Sequence, residues 1–293
     1  MKLKIKNGSW VALVTPFTSA GEIDFPAVGR LIDMHLKAQT DGILICGTTG
    51  ESATMSFEEK KSLMQFAKDR IAGKVPIMFG TGGNDTKASV ELTAKAASLG
   101  ADCVLVVTPY YNKPPQEGLK QHFKAVAAAT KLPVVLYNVP GRTGCNMLPE
   151  TVLHLAEIDN VVAVKEASGN LDQSMEIIRR APDGFALFSG EDALNLPIMA
   201  CGAAGTISVT ANVAPAMMKK FNDAALAGDW QRAREIHYRL LDMHRGLFVE
   251  ANPLPAKANL ALAGLIQEHA RLPLCSPSQN ARDLMKKLMV GLE

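Results

Sequence analysis

Eight times along this chain a short run rich in β-branched residues gives way to a helical stretch. That alternation limits the possible folds more than any other feature. The runs are WVALVTPF (10–17), DGILICGTTGE (41–51), VPIMFGTGG (75–83), DCVLVVTPYY (102–111), LPVVLYNVP (132–140), NVVAVKEASG (160–169), GFALFSGED (184–192) and AGTISVT (204–210). An apolar run bounded by polar residues reads as a strand buried on both faces. A helix between consecutive strands forces parallel pairing. Eight βα units in succession predict an α/β fold, a (β/α)8 TIM barrel. An open doubly wound sheet is the alternative, disfavoured because no run among the eight reads as a charged edge strand.

The intervening segments carry helix punctuation. Ser56 to Ala72 opens with a capping box, Ser56-x-x-Glu59, and is followed by Gly73. Its Phe57, Leu63, Phe66 and Ala67 form an approximate apolar stripe. Thr86 to Leu99 ends in the same way at Gly100. After residue 228 the strands stop, and Asp229 to Val249, Pro255 to Ile266 and Ser276 to Leu288 read as helices. Residues 1–228 are therefore expected to form the barrel and 229–293 a C-terminal helical appendage. No low-complexity linker separates them, so the appendage should pack on the barrel.

Composition adds exclusions. The 293 residues are 47% hydrophobic and 20% charged, and 31 basic against 29 acidic side chains leave a formal charge of +2. That balance gives no pull toward nucleic acid or membrane surfaces. Five cysteines, at 46, 103, 145, 201 and 275, are odd in number and lack zinc-ligand or C-x-x-C spacing, which points to a reducing cytoplasm. The opening MKLKIKNGSW has no apolar core of a signal sequence, and no stretch approaches the length needed to span a bilayer.

In a barrel of this kind, chemistry gathers at the C-terminal ends of the strands. The sixth run closes on Lys165. An ammonium at the end of a buried strand is costly to desolvate, so its pKa should fall, giving the neutral amine that Schiff-base chemistry needs. The competing reading is a lysine that reaches past the strand end to solvent. Thr48 and Thr49 end the second run, Tyr110 and Tyr111 the fourth, and Tyr137 the fifth, with Arg142 just beyond. Taken singly, the threonines could be turn chemistry, Tyr137 a core residue and Arg142 a solvated loop residue. Their joint placement favours a site. All six histidines (35, 122, 154, 237, 244, 269) read as helical, and none lies at a strand end where a zinc barrel would place its ligands. No Ser-His or Cys-His pairing is visible either, so carbonyl chemistry falls to lysine. The glycine-rich GTGGN (80–84) lacks the Lys-Ser/Thr ending of a phosphate loop and reads as a turn that lets backbone approach closely.

Six motifs together, GTTGES (47–52), VTPYYNKP (107–114), LYNVPGRTG (136–144), VKEASGN (164–170), SGED (189–192) and GTISVTAN (205–212), resemble the dihydrodipicolinate synthase (4-hydroxy-tetrahydrodipicolinate synthase) family. The resemblance runs in order over essentially the whole chain and includes NPLPAK (252–257). It implies a lyase that condenses pyruvate with L-aspartate 4-semialdehyde in the diaminopimelate route to lysine. Lys165 would form the Schiff base. Tyr137 would shuttle protons, linked through Thr48 to a Tyr111 that reaches into the neighbouring subunit of a homo-oligomer, at least a dimer and commonly a dimer-of-dimers tetramer. Thr49 would bind the pyruvate carboxylate with the backbone at Ile207 and Gly190, and Arg142 the carboxylate of the semialdehyde. No metal or organic cofactor is implied.

The chain departs from lysine-inhibited members of that family. Ser52, Ala53, Asn84 and Tyr110 match their regulatory site, but Phe57 and Lys60 stand where those members carry histidines, and Ala88 where they carry glutamate. Losing an acceptor and gaining a cation should weaken binding of a cationic amino acid. Glu191 also replaces a more usual aspartate in SGED. N-acetylneuraminate lyase and 2-keto-3-deoxy-sugar-acid aldolases would share Lys165 and Tyr137. The two threonines, the tyrosine pair and Arg142 favour the synthase.

Overall fold

The eight runs do become strands, each shorter than the run that announces it. The computed structural model describes residues 4–290. The strands are β1 (Gly8–Ala12), β2 (Gly42–Ile45), β3 (Ile77–Gly80), β4 (Cys103–Val107), β5 (Val134–Asn138), β6 (Val161–Glu166), β7 (Ala186–Ser189) and β8 (Gly205–Ser208). They follow one another in sequence order in a closed barrel. β1 pairs β2 in parallel, and β3 through β8 pair in parallel, each with the next.

Between and after the strands lie α1 (Phe25–Lys37), α2 (Phe57–Ile71), α3 (Thr86–Ala96), α4 (Gln116–Ala128), the single turn α5 (Pro140–Thr143), α6 (Pro149–Ala156), α7 (Leu171–Arg180), α8 (Asn195–Ala200) and α9 (Pro215–Leu226). Three further helices close the chain: α10 (Trp230–Gly246), α11 (Leu254–Leu262) and α12 (Gln279–Val290). No helix among the described residues is long and apolar enough to cross a membrane.

Two compact units can be distinguished. One comprises Pro76–Ile207 with the N-terminal stretch up to Asn7, and the other Gly8–Val75 with Ser208 onward. In the first, strand residues such as Val104, Val106, Val134, Leu136, Val161 and Val164 are buried, as runs covered on both faces require. In the second, Trp10, Val11, Ile43 and Leu44 play the same part.

Local signals in the sequence are realised with some corrections. The capping box of α2 forms in both directions, Ser56 accepting from the Glu59 N–H and Glu59 from the Ser56 N–H. The buried stripe of α2 is Leu63, Met64, Ala67 and Ile71; Phe57 is exposed, because it sits in the first turn ahead of the packed face. The expected helix to Ile266 stops at Leu262, since Gly264 turns the chain at φ 72°. His269 consequently lies in a loop, and the other five histidines are helical. The glycine turn after β3 approaches the neighbouring strand: a Cβ on Gly82 would come within 2.3 Å of the Val107 backbone nitrogen.

His35 in α1 is fully buried, its Nδ1 hydrogen-bonded to the Thr40 hydroxyl at 3.0 Å. Burial pulls its pKa from 6.5 down to about 3. The unfolded chain therefore takes up a proton that the native chain refuses. The stability His35 contributes is intact above pH 6.5 and is lost progressively as pH falls toward 3, at about 1.4 kcal/mol per pH unit. Urea titrations of the protein and of His35→Gln over pH 4 to 7 should show a clearly shallower acid slope in the variant; equal slopes would refute the assignment.

Candidate active site

β5 and β6 place the two most reactive side chains next to each other. Their register pairs Tyr137 with Lys165 and Asn138 with Glu166. Paired residues of neighbouring strands point to the same side of the sheet, and the next pair points to the other. Lys165 Nζ accordingly lies 4.3 Å from the centroid of the Tyr137 ring. Lys165 is only 4% exposed and Tyr137 is buried as well. The solvent-reaching alternative for this lysine is thereby excluded.

Burial is the main reason that the Lys165 ammonium titrates at about 8 rather than 10.5. Asp192 and Glu191 act against that shift, whereas the guanidinium of Arg142 reinforces it. Carboxylates favour the charged amine and a neighbouring cation disfavours it; burial outweighs the carboxylates, so the neutral fraction of the amine at neutral pH is larger than that of a free lysine. Asp192, which carries no separate role in the sequence motif, is buried and accepts from the Asn195 amide at 3.0 Å. Burial and the neighbouring Asp192 raise the pKa of Glu191, and Lys165 opposes the rise.

Behind this pair, Glu166 is buried and accepts three kinds of donor. The Ser168 N–H lies at 2.7 Å, the Asn138 amide at 3.1 Å and the Gln173 amide at 3.1 Å. Asn138 also accepts from the Met147 N–H at 2.9 Å. These bonds tie the ends of β5 and β6 to α7 and to the segment after α5, and so fix the register that aligns Tyr137 with Lys165. Asn138 and Gln173 carry no local sequence signal for this role.

Gly190 follows β7, and its N–H donates to the Glu166 carbonyl at 2.8 Å. A Cβ here would stand 2.8 Å from Lys165 Cε and 2.9 Å from Ala167 Cβ. The absence of a side chain at Gly190 therefore makes room for the lysine. Gly190→Ala should displace the amine and lower kcat by roughly a hundredfold, because small misplacements of reacting groups are costly. Its thermal melt should stay close to that of the parent. Unchanged kcat would show that the lysine has slack the packing does not suggest.

Arg142 lies in α5 with an exposed side chain. Ile207 is fully buried in β8. Tyr110 and Tyr111 lie beyond the end of β4 rather than within it. Tyr111 is 88% exposed and holds φ 75°, an uncommon backbone region for a bulky side chain.

Thr48 and Thr49 belong to the other unit, just past β2. Thr48 is exposed and Thr49 buried. Asn252 donates its side-chain amide to the Thr49 hydroxyl at 2.9 Å. Two residues on, Glu51 sits in the left-handed region at φ 54° and forms a buried ion pair with Lys257. Removing one member of such a pair strands a charge, so this contact holds the loop's shape. The sequence offers NPLPAK as a motif but not these contacts.

The profile of the dihydrodipicolinate synthetase family matches residues 6–290. A 4-hydroxy-tetrahydrodipicolinate synthase of Nitrosomonas europaea is 48% identical over 284 residues, covering 97% of each chain. The crystal structure of dihydrodipicolinate synthase from Aquifex aeolicus superposes with a TM-score of 0.94 at 47% identity, covering 97% of each chain. That of the chloride-inhibited Acinetobacter baumannii enzyme, complexed with pyruvate, gives 0.96 at 41% identity over 98% of each. The chain belongs to the dihydrodipicolinate synthetase family.

Proposed function

We propose that Lys165 is the nucleophile by which this enzyme condenses pyruvate with L-aspartate 4-semialdehyde to 4-hydroxy-tetrahydrodipicolinate, in the diaminopimelate route to lysine. The observation that carries this reading is a buried amine, brought to about 8 by its surroundings and lying 4.3 Å from a tyrosine ring. The neutral amine adds to the pyruvate ketone and water leaves as the imine forms. The imine acidifies the methyl group, and loss of a methyl proton gives an enamine. Its carbon attacks the aldehyde, forming the new C–C bond, and the aldehyde oxygen takes up a proton. The amino group of the second substrate then attacks the imine carbon, closes the ring and releases Lys165.

Tyr137 is the proton carrier in this scheme, with Thr48 and Tyr111 completing the relay. Thr49 donates to the pyruvate carboxylate, assisted by backbone at Ile207 and Gly190. The Gly190 N–H is occupied by Glu166, which leaves that residue's carbonyl and its missing side chain as its contribution. Arg142, exposed yet close enough to influence Lys165, suits a fork-shaped grip on the semialdehyde carboxylate.

The nearly full exposure of Tyr111 supports a role in a second subunit, so the working form is a homo-oligomer, a dimer at least and a dimer of dimers in the fullest reading. The five cysteines are free, in keeping with a reducing cytoplasm.

Supplying purified protein with both substrates and the pathway's next reductase should consume NADPH. No turnover from folded protein would overturn the assignment. Adding L-lysine tests the replacements Phe57, Lys60 and Ala88. Millimolar lysine should leave the rate within about twofold, and inhibition at micromolar levels would contradict that expectation.

A further inference from the structure

Asn252 lies in the segment before α11, 203 residues from Thr49, yet its side-chain amide meets the Thr49 hydroxyl at 2.9 Å. Both residues are buried, Asn252 at 5% and Thr49 at 3% exposure. A hydroxyl has one proton to give and lone pairs with which to accept. Here Thr49 accepts from Asn252 Nδ2, and no hydrogen bond given by the Thr49 hydroxyl is found among the described residues. Its proton is thus left for something else.

The orientation of the amide matters, because the reverse would make Asn252 the acceptor and consume that proton. Asn252 Oδ1 has no partner among the described residues. Reversing the amide would put two N–H donors in that partnerless place, and an orphaned buried donor is less tolerable than an under-used carbonyl. The same segment is anchored a turn later, where Lys257 pairs with Glu51 and donates to the His269 carbonyl at 2.8 Å. The Arg271 N–H closes the arrangement on Glu51 Oε2 at 3.0 Å. Residues 252–257 therefore hold both Thr49 and the residue two places after it.

We propose that Asn252 is a positioning residue that, by donating to Thr49, commits the Thr49 hydroxyl to act as a donor toward the carboxylate of the keto-acid substrate. This rests on the reading that Thr49 receives that carboxylate. An ionised carboxylate only accepts hydrogen bonds, so a threonine facing it must donate, and its other partner must therefore be a donor. Asparagine meets that requirement; aspartate at the same place would take the proton away.

The test is a double-mutant cycle read through KM for pyruvate, KM for the semialdehyde, kcat and the thermal midpoint. Asn252→Ala should raise KM for pyruvate several-fold, with little change in KM for the semialdehyde. Asn252→Asp should raise it further, by roughly ten- to a hundredfold, since it captures the hydroxyl proton and adds a like charge. In a Thr49→Val background, Asn252→Ala should cause no further rise.

If Thr49→Val alone leaves KM for pyruvate unchanged, the role of Thr49 fails. If Thr49→Val raises KM but Asn252→Ala adds the same factor with and without the hydroxyl, the role of Asn252 fails by itself. Should Asn252→Ala not fold, Asn252→Asp, nearly identical in shape, decides: a pyruvate KM equal to the parent's overturns the proposal.

Discussion

Lys165→Met should lose turnover by at least about four orders of magnitude, the scale seen when a covalent nucleophile is removed, and should melt no lower than the parent. The second half of that expectation follows from the electrostatics. A lysine whose pKa drops from 10.5 to about 8 on folding is penalised in its charged form. The folded chain binds that proton less readily than the unfolded chain, so the cost is absent above pH 10.5, grows as pH falls, and is complete below about 8. At neutral pH it amounts to about 3 kcal/mol. Replacing the amine by a thioether of similar length removes the charge and keeps the packing. A lysine that served structure would behave oppositely, with lost stability and retained chemistry. At pH 7 about one Lys165 side chain in ten is neutral, against roughly three in ten thousand at an unshifted pKa. The rate of imine formation should therefore rise with pH, reach half its limit near 8 and level off roughly one pH unit higher.

Tyr137→Phe should reduce kcat by roughly a hundred- to ten-thousandfold, the range for removing a positioned proton carrier, while leaving imine formation largely intact. The ring stays to pack against Lys165, and only the hydroxyl is lost. The two steps can be separated with pyruvate alone. Exchange of its methyl hydrogens with deuterated water reports the imine-to-enamine step, and it should slow in the variant as much as kcat does. Exchange at the parental rate would assign the proton transfer to another group.

Much of this could be read in the sequence, because the signals were local. Alternating strand and helix patterns gave eight strands in barrel order, and the Ser56–Glu59 capping box formed as written. The boundaries erred where distant residues intervene. The first run suggested a strand to Phe17, but the Val14 N–H is taken by the Asn212 side chain, 198 residues away, and β1 ends at Ala12. The extension of α11 to Ile266 missed Gly264, a stop signal that was available. At the site, Lys165 and Tyr137 were legible because each lies one residue before the end of a strand. Asn252, Gln173 and Asn138 were not, since their partners lie far along the chain or across a strand pair, and asparagine or glutamine alone has many ordinary uses. Gly190 was legible as a residue but not in its role. Only the packing shows that its missing side chain makes room for Lys165.

Pyruvate should become covalently bonded to one particular nitrogen, that of Lys165. Incubating the protein with pyruvate and a borohydride, then mapping the peptides by mass spectrometry, tests it directly. The expected result is a single reduced pyruvyl adduct on Lys165, absent from Lys165→Met and absent without pyruvate. An adduct on another lysine such as Lys257, or no adduct in protein that turns over both substrates, would contradict the account.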